Sequence, residues 1–65
     1  MLKTNTFYKA KKGTPGGYFY IKEVNAGKVK FEVTETPTES ALKGNHFVTS
    51  AKDILSFIEC EYIAN

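Results

Sequence analysis

The stretch Tyr18-Phe19-Tyr20-Ile21-Lys22-Glu23-Val24, then Asn25-Ala26-Gly27, then Lys28-Val29-Lys30-Phe31-Glu32-Val33-Thr34-Glu35 decides the fold. Both arms are rich in aromatic and β-branched residues, and both alternate apolar with polar at the strand period. The link ends in Gly, so the segment reads as a β-hairpin. Three loop residues suit a type I turn closed by a left-handed Gly27 in a G1 bulge. That loop pairs Val24 with Lys28, Glu23 with Val29, Ile21 with Phe31 and Phe19 with Val33. One face then collects Phe19, Ile21, Val29, Phe31 and Val33. The other collects Tyr18, Tyr20, Lys22, Lys28, Lys30, Glu32 and Thr34. A two-residue Ala26-Gly27 loop would set Ile21 against Glu32 and mix the faces, so the longer loop is favoured.

Working outward, Thr4 to Ala10 reads as a strand. Lys11-Lys12-Gly13-Thr14-Pro15-Gly16-Gly17 after it has the chemistry of a loop. On the other side, the polar run Thr34 to Ser40 carries Pro37 and should leave the sheet near Glu35. The irregular stretch extends to Asn45, a long connection of the kind that carries binding or mobility. His46 to Ser50 supplies a further strand. Ser50 can cap a short helix over Ser50 to Ser56, with Asp53 as the acid of a capping box and Ile54, Leu55 and Ile58 on one face. Ile58-Glu59-Cys60-Glu61-Tyr62 then alternates as a strand does, which places a last strand over Phe57 to Ile63 and turns Cys60 toward the apolar side. A helix continuing to Ile63 is the competing reading.

Five short strands, a Gly-rich loop after the first and a helical turn before the last give a mainly β fold class. In pattern the chain resembles the small SH3-like barrels, a fold that hosts unrelated functions. The resemblance implies a small five-stranded SH3-like barrel. The alternative is an α+β fold, an antiparallel sheet with one C-terminal helix packed across it.

At 65 residues the chain is expected to form a single domain over 1–65. Its 42% apolar and 14% aromatic residues argue against disorder, which goes with few aromatics. No apolar run approaches ~18 residues, so no membrane span is expected. The Met-Leu-Lys-Thr-Asn start has no apolar signal core, and a single Cys suits a reducing compartment, so a cytoplasmic location is expected. A chain this short buries only about 60% of its unfolded surface. Its five Phe and four Tyr must supply the core, and a monomer is expected ahead of a homodimer.

Catalytic chemistry is thin. Cys60 and His46 are the only soft ligands or nucleophile-base candidates; Cys60 reads as a small buried hydrophobe and His46 as a strand-entry residue. Glu59 and Glu61 lie two apart on one strand face, where a solvated face is the simpler reading. The Lys11–Gly17 loop lacks the Gly-x-x-x-x-Gly-Lys-Ser/Thr arrangement of a phosphate-binding loop and reads as a plain turn. No enzyme activity, cofactor or metal is expected.

Charge is polarised. Residues 1–30 hold seven Lys against one Glu, and residues 31–65 hold two Lys against six acids. Tyr18 and Tyr20 beside Lys22 and Lys30, with Lys11 and Lys12 from the neighbouring loop, form the candidate binding surface. Rings that stack bases and ammonium groups that neutralise phosphates are what non-sequence-specific, single-stranded nucleic acid binding uses. The same residues suit a protein interface, where Tyr is enriched. The absence of Arg weighs against base readout. The sequence therefore favours a non-enzymatic binding module that docks on a larger protein as adaptor or inhibitor. A nucleic-acid-binding barrel is the alternative. Many Lys and no Arg or Trp are compatible with a bacterial or phage accessory protein.

Overall fold

Alternation and turn chemistry produce five strands in the computed structural model, which describes residues 2–64. They are β1 (Thr6–Ala10), β2 (Tyr18–Asn25), β3 (Lys28–Thr34), β4 (Phe47–Ser50) and β5 (Ile58–Glu61). Helix α1 (Ala51–Phe57) lies between β4 and β5, and a 3-10 turn covers Glu39–Ala41. All pairings are antiparallel within one sheet of order β4-β3-β2-β1-β5. The architecture is mainly β with one helix, and that helix precedes the last strand. The sheet does not close into the expected barrel: β4 and β5 are its two edges and do not pair with each other. β4 gives way to α1 after four residues, and α1 packs back on β3 and β4, which leaves no strand to reach across to β5.

The hairpin loop departs from the three-residue expectation. Asn25 pairs with Lys28, Val24 with Val29 and Glu23 with Lys30, so only Ala26 and Gly27 form the turn. Both have positive φ, 51° and 78°, the signature of a type I′ turn whose twist matches that of the flanking strands. The extra residue is displaced to a bulge at Lys22, beyond which Ile21 pairs with Phe31 and Phe19 with Val33. The expected register is thus recovered for the inner half of the hairpin. The objection to a two-residue loop fails because the bulge absorbs the one-residue slip before it reaches Ile21.

The core lies on one side of this sheet. Ile21 and Val29 are fully buried with Phe19, Tyr8 and Ala10, and Leu2, Phe31, Val33 and Ile58 pack around them. Ile54 of α1 completes the core. The Ser50 hydroxyl accepts the Asp53 amide at 3.0 Å, the expected cap, and aims Ile54 inward while Leu55 stays 50% exposed. The loop after β1 closes over the same side: at Gly16, with φ 95°, a β-carbon would overlap the Val33 Cγ1 methyl.

Two burial expectations are corrected. Cys60 is exposed rather than in the core. Ala10 pairs with Ile58 but Lys9 with Cys60, so the ladder skips Glu59; this bulge turns Cys60 to the outer face beside Lys9. Glu61 then lies within reach of the Lys3 ammonium, at 2.9 Å. Glu32, expected to face solvent, is only 3% exposed, and Thr34 is also buried, because the chain from Glu35 to His46 folds back over them.

Candidate functional site

The outer face of the sheet carries the sequence candidates in part. Cross-strand pairing places Phe7 beside Tyr20 and Lys9 beside Tyr18. The Phe7 and Tyr20 rings pack at 4.7 Å, and the Tyr20 hydroxyl donates to Asn5 Oδ1 at 3.3 Å. Tyr62 follows β5, its amide donating to the Phe7 carbonyl, and its ring meets Tyr18 edge-on at 5.6 Å. Four half-buried rings therefore line this face. Phe7 and Tyr62 escaped the sequence reading, although alternation in β1 and the run ending in Tyr62 both carried the signal.

The lysines behave differently from one another. The Lys22 ammonium lies 3.0 Å from Glu32 Oε1, out of line for a hydrogen bond, and donates to the Asn45 carbonyl at 3.3 Å. Lys30 pairs with Glu23 at 3.5 Å. Lys11 and Lys12 are exposed and make no ion pair among the described residues. The structure thus brings Tyr18 and Tyr20 together, commits Lys22 and Lys30 to carboxylates, and leaves Lys11 and Lys12 on the loop between β1 and β2.

Glu32 organises the neighbouring loop. Its other oxygen accepts the Lys43 amide. Main-chain donation from Lys43 holds the carboxyl below the usual range; burial opposes this, and Lys22 adds to the lowering. Between this loop and β3 lies a hollow of about 850 Å³, of mixed lining, that includes Lys43, Asn45 and His46. His46 is exposed at its rim and far along the chain from Cys60, on the opposite edge of the sheet. Among the described residues no three His, Cys, Asp or Glu side chains gather as a metal site.

A second surface emerges only from the tertiary structure. On the core side, Phe19, Phe31 and Val33 of the sheet, Ile54 and Phe57 of α1, and Pro15 of the loop line an apolar groove of about 360 Å³. Phe47 and Thr49 of β4 form its outer wall. Phe47 is 57% exposed and Phe57 50%, so the rim as well as the floor is apolar. Large side chains left this open next to a cleft mark an interaction surface more often than a defect. Periodicity gave no warning of it, because Phe47 and Phe57 occupy positions that look like core.

Comparison with protein-family models, with curated proteins and with solved structures gives no match for this chain.

Proposed function

We propose that this protein is a non-enzymatic binding module that docks on a larger protein, as adaptor or inhibitor. The observation that carries the reading is the apolar groove with Phe47 and Phe57 open at its rim. Burying such rings is the main source of binding energy at protein interfaces. A cytoplasmic accessory role in a bacterium or phage is supported by composition alone, with nine Lys and no Arg. The SH3-like reading of the fold is a proposal of the same kind, supported by the helical segment before the last strand and opposed by the open sheet.

A nucleic-acid role is the second reading, favoured by the four rings Phe7, Tyr18, Tyr20 and Tyr62 on one face. Against it, Lys22 and Lys30 are already neutralised by Glu32 and Glu23, so few cations remain for phosphates.

Co-purification of the tagged chain from its own cells, beside a Phe47→Ser/Phe57→Ser variant, separates the two. A protein retained by the native chain and lost with the variant is the expected result. Oligonucleotide binding would instead overturn the reading, if its log affinity falls against log salt with a slope near −3, as about four phosphate contacts would give. In that case Tyr20→Ala should weaken binding by about 1–3 kcal/mol.

A further inference from the structure

Strand β4 is an edge of the sheet, and it borders the apolar groove. Its register fixes which main-chain groups are in use. The Ala51 amide donates to the Gly27 carbonyl at 2.8 Å, in step with the pairs Lys28↔Ser50 and Val29↔Thr49. Successive residues of an antiparallel strand turn their N–H and C=O groups to opposite sides. Thr49 and Phe47 therefore face β3 as Ala51 does, and Val48 and Ser50 turn theirs to the open edge. Edge strands are ordinarily blunted by brevity, Lys, Pro or a bulge. β4 reads Phe47-Val48-Thr49-Ser50 and pairs with β3 without a register shift, so it is short but has no Lys, Pro or bulge. Free main-chain groups beside pockets for alternate side chains are the two requirements of strand addition by an extended peptide. Phe47 and Val48, both more than half exposed and on opposite faces of β4, offer an apolar contact on either face of an added strand.

Charge selects the occupant. At the Ser50 end of this edge stand Lys52, in the first turn of α1, and Lys28, opposite Ser50 on β3, against Asp53 alone. Neither lysine is ion-paired among the described residues. A second copy of the chain would bring like charges together along this edge, whereas acidic flanks on an incoming segment would be met by them. We propose that β4 takes an extended segment of the partner protein as a sixth strand, with apolar side chains at alternate positions packing on Phe47 and on Val48 and acidic residues at the end that meets Lys28 and Lys52. The proposal rests on the protein-docking reading and specifies its mode.

The test is a titration of the isotope-labelled full chain, followed by NMR, with a synthetic peptide of alternating Val and Thr flanked by Asp and Glu. Shift changes should map to β4 and to Lys28 and Lys52 beside it, and exchange of the Val48 amide should slow. N-methylation of the peptide amides that face β4, or Lys flanks in place of acidic ones, should each weaken binding about tenfold, the scale of one lost hydrogen bond or charge contact. Val48→Pro, which removes an edge-facing N–H and no bond to β3, should abolish it. The N-methylated peptide gives the same information should that variant not fold. Four results overturn the proposal: no binding at millimolar peptide, indifference to N-methylation, shifts on the Phe7–Tyr20 face, or dilution-dependent shifts at β4 without peptide. A co-purified partner that is lost with Phe47→Ser/Phe57→Ser but indifferent to Val48→Pro would overturn strand addition and keep the docking reading.

Discussion

Ala26 occupies a position that most side chains avoid. Its φ of 51° is left-handed, where an L-residue with a β-carbon is disfavoured by about 1 kcal/mol or more. Asn tolerates this region and favours the type I′ turn with Gly after it. Ala26→Asn should raise stability by about 0.5–1 kcal/mol, read as a higher urea midpoint at unchanged slope. A lower midpoint would mean that the turn is not type I′. Cys60 offers a second check at this scale. Alternation alone placed its thiol in the core, but the skipped Glu59 turns it outward. A disulfide reagent should modify it in the native protein about as fast as in the unfolded chain. Protection in the native state would remove the bulge from the description of β5.

At the scale of elements, the connection from Glu35 to His46 depends on a group outside it. Glu32 accepts the Lys43 amide and lies against Lys22, which in turn holds the Asn45 carbonyl. The folded-state pKa of Glu32 is depressed, so its contribution is complete above the ordinary glutamate value. It is lost as the pH falls from there through the folded value. The amides of Lys43 and Gly44 should therefore shift together in NMR spectra on acidification. Glu32→Gln should abolish that pH-dependent change while the β2–β3 ladder stays intact. A loop indifferent to both acid and substitution would show that the carboxylate is not what holds it. Sequence reading recognised the length and polarity of this loop. It missed the buried Glu, because the alternation of β3 assigns a face but not what folds over that face.

For the whole molecule, one helical residue carries much of the link between α1 and the sheet. Ile54 is buried against the sheet core, whereas Leu55 beside it is half exposed. Ile54→Ala should cost about 3 kcal/mol. That approaches the ~3–5 kcal/mol that a core of this size supplies, so the variant should be largely unfolded at room temperature. Leu55→Ala should change stability by less than ~0.5 kcal/mol. Far-ultraviolet circular dichroism against temperature distinguishes them, and equal effects would contradict the helix orientation set by the Ser50 cap.

The order of elements, the hairpin, the cap at Ser50 and the inward set Phe19, Ile21 and Val29 were legible in the sequence. Each depends on period or on a local hydrogen bond between near neighbours. The same alternation put Tyr18, Tyr20, Lys22, Lys30 and Glu32 on one face, but not Glu23, which reaches Lys30 only because of the bulge at Lys22. What only the tertiary structure decided depends on residues distant in the chain. The two bulges move by one residue the point at which a face is chosen, and that choice is made by packing across strands. The sheet stays open because α1 leaves β4 too short to span to β5, a matter of length in space. The apolar groove exists because Phe47, Phe57 and Pro15, each unremarkable in its own segment, converge where the core has no further element to cover them.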